Sequence, residues 1–440
     1  MSATNWRLIE VLQRKIWPNS SLILVATLIL SMTSSRKKVF FVDSKTMKAR
    51  AQAMIEQNHK KNCADRRGGD KFCKSLGREL ESAIKINWFL SDGMQGNRPL
   101  DTKDLKRSGV VSRFVYLLCN EELPMLQCEA ARGLTIIAAY KPDVVVDHNA
   151  GPSLVTLLAS SRDFVREQAI WALGNVAYYP IHHDYVLKCG VLRPLLSQLY
   201  KDSNLSMLRI ATRTLSNLCQ GMPPTFNEVK PALEIHLNSS DEEVLRYVCC
   251  AIVHLCDGSE DVIQSVIEAG FVPKLVEVLR HPSPDVLAPV LHTIGTLARK
   301  YNHQSQVVIN CGALPILADL LTRDYVKYIK IETFSTISSI TAGFTEQLKS
   351  VIDANLIPPL VNLAQNAEFE IKKEAVWAIS NATVGGSPNQ IKYLVEKGCT
   401  KPLCDLLVCP DVMIISVCLD GLENILKARE AEKNTGDVNY

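Results

Sequence analysis

A tryptophan followed four residues later by an asparagine occurs twice in this chain, in similar surroundings. One pair is Trp171 with Asn175, and the other is Trp377 with Asn381. Residues four apart lie one above the other on a helix face, so each pair presents an aromatic ring and an amide on one surface. An isolated pair would more often be a buried tryptophan beside a capping asparagine. Its repetition predicts a duplicated recognition element, and therefore a binding protein.

The elements that must position these pairs recur about every forty residues. A small-residue turn followed by an apolar helix begins at Gly109, Gly151, Gly190, Gly270, Gly312, Asn355 and Gly398. The doubled interval between Gly190 and Gly270 predicts a hidden unit near Glu228. In each unit a polar break precedes a longer helix with apolar residues at three-to-four spacing. This pattern predicts an all-α fold, a right-handed α-solenoid of about eight armadillo repeats.

The charges divide the chain into a basic head and an acidic body. Residues 1–90 hold 17 Lys and Arg against 7 Asp and Glu, whereas the rest hold 32 against 39. We predict a basic, partly disordered region over 1–104, a solenoid over 105–429 and a flexible tail over 430–440. The uncharged segment 16–35 resembles a signal-peptide core, but its apolar run is too short for a membrane span. We therefore predict no membrane partner.

Catalytic motifs are missing from the sequence. There is no phosphate-binding glycine loop, no Gly-x-Ser-x-Gly turn and no His-Glu-x-x-His pair. We predict a protein that is not an enzyme and that needs no cofactor and no metal. The basic head lacks interleaved aromatic residues and the body is acidic, so direct nucleic-acid binding is not predicted.

Three stretches, residues 165–177, 214–224 and 371–381, make the sequence resemble the importin α family, whose members carry proteins with nuclear localisation signals. The resemblance covers residues 108–430 and follows that family's repeats one to eight. About two final repeats of the family have no counterpart here, which indicates a divergent and truncated member.

The resemblance implies a concave groove lined by the third helix of each repeat. In such a groove tryptophan rings hold the aliphatic stems of lysines and attract their charge, while the asparagines bond the peptide backbone. Carried over by position, the major peptide site comprises Trp171, Asn175 and Asn217, and the minor site comprises Glu332, Glu374, Trp377 and Asn381. An ordinary solvated helix face remains the alternative for the two glutamates.

Several groove positions depart from the family pattern. The tryptophan position holds Arg132 in repeat one and Arg213 in repeat three, on either side of Trp171. Two arginines would place positive charge where lysines should lie. The tryptophan and asparagine positions hold Cys250 and His254 in repeat four, His292 and Thr296 in repeat five, and Ser335 and Ser339 in repeat six.

The resemblance also implies partners. We expect basic nuclear localisation signal peptides of cargo proteins and importin β, and a location in both the cytoplasm and the nucleus. The family's segment that binds importin β is strongly basic, whereas here the basic residues of the head are scattered, as in Arg36 to Lys38. A solvated basic tail is the alternative to a remnant of that segment. The predicted function is a nuclear-import adaptor; the alternatives are a divergent armadillo scaffold that has lost signal binding and a weakly functional copy.

Overall fold

The structure, a computed structural model, describes residues 79–87, 90–91, 102–200, 203–221, 224–258, 260–300 and 302–434. Its helices belong to one compact unit that begins at Leu80. The predicted basic remnant at Arg36 to Lys38 and the apolar segment 16–35 lie outside the described residues. All the regular elements in the described ranges are helical, as the sequence pattern predicts.

Eight long helices, one per repeat, form the core of the solenoid. We number the repeats one to eight by these third helices, which span Pro124–Tyr140, Asp163–Ala177, Leu205–Leu218, Glu242–Gly258, Pro284–Lys300, Lys327–Thr341, Phe369–Val384 and Val412–Asn434. Each packs against the third helix of the next repeat. Their apolar residues are largely removed from water, as for Ile170 and Leu173 in repeat two, which are 0% and 1% exposed. This continuous burial stabilises the array.

Two shorter helices precede the third helix in most repeats. They span Thr102–Arg107 and Val110–Leu118 in repeat one, Pro142–Asp147 and Gly151–Leu157 in repeat two, His183–Lys188 and Leu192–Tyr200 in repeat three, Glu260–Glu268 and Phe271–Val278 in repeat five, Asn302–Asn310 and Ala313–Thr322 in repeat six, Thr345–Asp353 and Ile357–Asn366 in repeat seven, and Pro388–Glu396 and Thr400–Asp405 in repeat eight. Short 3₁₀ turns lie at Pro180–His182 and Leu406–Val408.

Repeat four is simpler, because one helix, Phe226–His236, stands in place of the two short helices. This helix begins with a capping box in which the Thr225 backbone N–H donates to Glu228 Oε2 over 3.1 Å. It contains the hidden unit start that the sequence placed near Glu228.

The turns between the two short helices need a left-handed residue in most repeats. Gly270 has φ 76° and Asn355 has φ 55°, a region that glycine and asparagine tolerate best. Repeat two differs from the predicted position. Its left-handed residue is Asn149, at φ 48°, whereas Gly151 is the first residue of the following helix.

The last helix, Val412–Asn434, continues beyond residue 429, where we predicted the solenoid to end. The predicted start at residue 105 falls inside the first helix of repeat one, Thr102–Arg107. No single helix among the described residues is long and apolar enough to cross a membrane; one pair, His303–Asn310 with Ala313–Thr322, meets the length and composition criteria only when joined across a 76° bend.

Candidate peptide-binding groove

Three asparagines on the third helices make the same contact with the preceding repeat. Asn175 Nδ2 donates to the Thr135 carbonyl over 3.0 Å, and Asn217 Nδ2 donates to the Gly174 carbonyl over 2.9 Å. Asn381 Nδ2 donates to the Ser338 carbonyl over 3.3 Å and to Ser338 Oγ over 2.9 Å.

In each case the accepting carbonyl belongs to the residue just before the equivalent position of the preceding repeat. The contact therefore defines a structural register shared by repeats two, three and seven. Within the described ranges, no residue donates a hydrogen bond to the Oδ1 atom of these asparagines. Each amide is held by its Nδ2, and its Oδ1 is left as an acceptor.

The two tryptophans lie one helical turn before their asparagines. Trp171 and Trp377 are both half-buried, between the fully buried neighbours Ile170 and Ala172 in one case and Val376 and Ala378 in the other. A half-buried ring on a helix whose adjacent residues are in the core presents part of its π-face or edge to solvent. Each site thus combines a cation-attracting ring with an amide acceptor.

At the equivalent position of repeat one, an arginine is paired with a glutamate of the same helix. Arg132 lies where a tryptophan was expected, and its guanidinium forms a 2.7 Å ion pair with Glu129 on the same helix. Asn87 Nδ2 donates to the same carboxylate oxygen, Glu129 Oε2, over 2.9 Å. The charge of Arg132 is therefore largely compensated, which the sequence spacing alone did not reveal.

Repeat three keeps its asparagine but has Arg213 in place of the ring. The Arg213 side chain is half-buried, and no ion pair links it to another described residue. Tyr179, two residues after the third helix of repeat two, donates from its hydroxyl to the Ala139 carbonyl over 3.2 Å.

A histidine joins two carboxylates of neighbouring repeats. His292 Nε2 lies 3.3 Å from Asp257 Oδ1 of repeat four, and His292 Nδ1 lies 3.9 Å from Glu332 Oε2 of repeat six. Burial lowers the pKa of His292, but its hydrogen bond to Asp257 and the charges of both carboxylates outweigh burial and raise the pKa above its ordinary value.

Glu332 and Glu374 occupy equivalent positions, each one turn before its tryptophan position. Burial raises the pKa of Glu332 to about 7, against the attraction of His292 and Arg299 and with a smaller contribution from Glu374. Burial also raises the pKa of Glu374, although Lys373 opposes the shift. Glu332 is 4% exposed and Glu374 is half-buried, so neither carboxyl lies on a fully solvated helix face.

The side chains along the third helices are of kinds that bind a peptide. Within the described ranges no three His, Cys, Asp or Glu side chains are grouped so as to hold a metal ion. Along the row of third helices, rings lie in repeats two and seven, asparagine amides in repeats two, three and seven, and carboxylates in repeats six and seven. Such a row can accept hydrogen bonds and cations from an extended chain.

Known proteins with similar sequences or structures have the same armadillo-repeat fold. The family model for the armadillo/beta-catenin-like repeat matches residues 184–220, 259–299, 344–384 and 387–427. An engineered protein solved by the Northeast Structural Genomics Consortium has a TM-score of 0.71 and 24% identity, covering 81% of this chain and 92% of that chain. The fold and the repeated groove positions define an armadillo-repeat scaffold.

Relatives of the whole solenoid identify the family. The chain is 56% identical over 367 residues to importin subunit alpha-8 of Arabidopsis thaliana. This aligned segment covers 82% of this chain and 81% of the relative. It is 59% identical to importin subunit alpha-2 of the same plant and 53% identical to importin subunit alpha-1b of Oryza sativa subsp. japonica, each over 82% of this chain and 69% of the relative. The chain belongs to the importin α family. It is a nuclear-import adaptor, and both this family and the armadillo-repeat family are non-enzymatic adaptors.

Proposed function

We propose that this adaptor binds lysine-rich nuclear localisation signal peptides of cargo proteins along the row of third helices. One site comprises Trp171, Asn175 and Asn217. The second comprises Glu332, Glu374, Trp377 and Asn381. The adaptor links the bound cargo to importin β and works in both the cytoplasm and the nucleus, without a cofactor and without direct contact to nucleic acid or membrane.

The observation that carries this proposal is the shared asparagine register. In Asn175, Asn217 and Asn381, Nδ2 donates a hydrogen bond to the preceding repeat and Oδ1 remains an acceptor. The backbone N–H groups of an extended peptide are donors that repeat at a fixed interval along the chain. A row of fixed acceptors suits such a ligand whatever its side chains are.

The second site adds the chemistry that selects lysine. Trp377 offers an aromatic surface for a lysine stem and its charge. Glu374 and Glu332 are carboxylates whose burial is unfavourable until a cation compensates it, as their raised pKa values indicate. A bound ammonium group would relieve this cost, so the larger share of the affinity is expected at the second site.

The first site has fewer of these features. It has one ring, Trp171, and neither Arg132 nor Arg213 can attract a lysine. The basic head, with a charge balance of +10 over residues 1–90, is the region proposed to contact importin β. Its charge suits an acidic partner surface.

A peptide titration tests the proposal. A fluorescent bipartite lysine-rich peptide is titrated into the wild type, Trp171→Ala and Trp377→Ala. We expect Trp377→Ala to weaken binding by about tenfold, since loss of a desolvated cation–π contact costs on the order of 1–2 kcal/mol. Trp171→Ala should have a smaller effect in the same direction.

Ser335→Ala is the matched control, because it truncates the same register position in repeat six without removing a ring. Its affinity should equal that of the wild type. The alternative, a scaffold that has lost signal binding, would be supported if a well-folded wild type failed to bind the peptide.

A further inference from the structure

Arg213 carries a charge that the described structure leaves uncompensated. It lies four residues before Asn217, in the register of Trp171 and Trp377, and is half-buried. No hydrogen bond, ion pair or ring contact joins its side chain to another described residue. With no carboxylate of the described residues beside it, the Arg213 guanidinium is available to an anion of a ligand.

The neighbouring arginines are different. Arg209, one turn earlier on the same helix, lies 2.6 Å from Asp241 Oδ2 and 3.6 Å from Glu243 Oε2. Arg132, in the equivalent register of repeat one, is paired with Glu129. The fold compensates each of these two charges within the chain, so the isolation of Arg213 is a local property of the groove at repeat three.

The opposite half of the groove has the reverse polarity. Glu332 and Glu374, in repeats six and seven, are fully and partly buried carboxylates. Glu332 lies 3.9 Å from His292 Nδ1, and no side chain among the described residues donates a hydrogen bond to either carboxylate. The row of third helices therefore runs from an uncompensated cation in repeat three to carboxylates in repeats six and seven.

We propose that the ligand of this groove is an extended peptide of mixed charge, with lysines at repeats six and seven and an aspartate or glutamate opposite Arg213. The inference rests on the proposed function, because it assumes a peptide lying along the third helices. A carboxylate can accept two parallel hydrogen bonds from a guanidinium, whereas a lysine at the same place would meet like charge. Arg213 is thus a specificity-determining residue.

The distance between the two ends of the groove sets the peptide spacing. Neighbouring packed helices lie about 8–10 Å apart, and an extended peptide advances about 3.3 Å per residue. Each repeat therefore corresponds to about three peptide residues. Four steps separate repeat three from repeat seven, so the acidic residue should lie about twelve residues from the lysine that contacts Trp377.

The test compares peptides that, at each linker length, differ only in the residue placed opposite Arg213. Each has a lysine cluster, a neutral linker of eight, ten, twelve or fourteen residues, and then Glu, Gln or Lys. Each peptide is made in two orders, with the lysine cluster at its N-terminal or at its C-terminal end. Affinities are measured for the full-length wild type, Arg213→Gln, Trp377→Ala and the control Arg209→Gln, which removes a charge that is already paired. Circular dichroism confirms that each variant is folded.

At the best linker length we expect the wild type to bind the Glu peptide about five- to tenfold more tightly than the Gln peptide, as for a charge-assisted hydrogen bond, and to bind the Lys peptide least well. Arg213→Gln should abolish this preference and Arg209→Gln should keep it. Equal affinity for the Glu and Gln peptides at every length, or a preference that survives Arg213→Gln, overturns the inference.

The two proposals fail in different ways. If Arg213 has no influence but Trp377→Ala weakens all three peptides, the inference is wrong and the proposed function stands. If none of the peptides binds the folded wild type, both are wrong.

Discussion

At the scale of the residue, equivalent positions of the groove differ because of their partners, not only because of their side-chain type. Arg132 and Arg213 share a register, yet one is paired with Glu129 and the other has no described partner. His292 occupies the same register and bridges Asp257 and Glu332. The charge available to a ligand therefore depends on side chains contributed by neighbouring repeats.

The raised pKa of Glu332 predicts pH-dependent binding. A carboxyl whose pKa is about 7 is mostly protonated at pH 6 and mostly ionised at pH 8, and only the ionised form attracts a lysine. His292, whose pKa is also raised, adds positive charge as pH falls, which acts in the same direction. We expect the affinity for a lysine peptide without histidine or acidic residues to rise from pH 6 to pH 8, by up to about tenfold.

Fluorescence anisotropy across this pH range checks the expectation. Other charged groups that influence Glu332 or His292 are Asp257, Arg299 and Glu374. Glu332→Gln should lower the affinity at pH 8 and flatten the dependence of affinity on pH. His292→Gln should flatten this dependence less than Glu332→Gln does if Glu332 is the dominant group. An unchanged slope in Glu332→Gln would assign the pH dependence to another group.

At the scale of the element, the third helices of repeats two and three approach closely. A Cβ atom at Gly174 would lie 2.3 Å from Thr214 Oγ1, and this hydroxyl donates to the Ile170 carbonyl over 3.3 Å. The same helix face carries the Gly174 carbonyl that accepts from Asn217. Helix packing and the position of a groove amide are therefore coupled.

Gly174→Ala should destabilise the protein by about 1–3 kcal/mol, because it overpacks this contact, and should weaken peptide binding through displacement of Asn217. Chemical denaturation and peptide titration measure the two effects. Gly295→Ala is the matched comparison. Its Cβ would lie 3.1 Å from Thr336 Oγ1, so this substitution should lower the free energy of unfolding by less than Gly174→Ala does. Thr214→Ala combined with Gly174→Ala should recover part of the loss, and failure to recover any would show that overpacking is not the cause.

At the scale of the whole molecule, the solenoid links its sites only through neighbouring repeats. Third helices pack against those of the adjacent repeats, so a change in repeat two has no direct contact with repeat seven. Stability in such arrays is approximately a sum of repeat and interface contributions. The two tryptophan sites should therefore act independently.

A double-mutant cycle tests this independence. The losses of binding free energy in Trp171→Ala and Trp377→Ala, measured with one bipartite peptide, should add in the double variant to within about 0.5 kcal/mol. Trp377→Ala combined with Glu374→Gln is the positive control, since these residues lie one turn apart and should be coupled. A large coupling between Trp171 and Trp377 would indicate that the solenoid changes shape as a unit.

The sequence by itself determined the repeat, the helical class and the family. A period of about forty residues, apolar spacing within the helices and the repeated Trp and Asn pairs are local patterns, and local patterns are readable from one chain. It also placed the residues of the two proposed sites on third helices. The left-handed turn of repeat two was misplaced by two residues, because both Asn149 and Gly151 can follow a helix end and only packing selects between them.

The tertiary structure decided which groove charges are available. The pairing of Arg132 with Glu129 is local. The other contacts join residues 35 to 43 positions apart: Asn87 with Glu129, His292 with Asp257 and Glu332, and each asparagine with the preceding repeat. Such contacts depend on how one repeat packs on the next, and this packing cannot be predicted from residues that are close together in the sequence. Burial of Glu332 arises in the same way, which is why its raised pKa appears only in the folded solenoid.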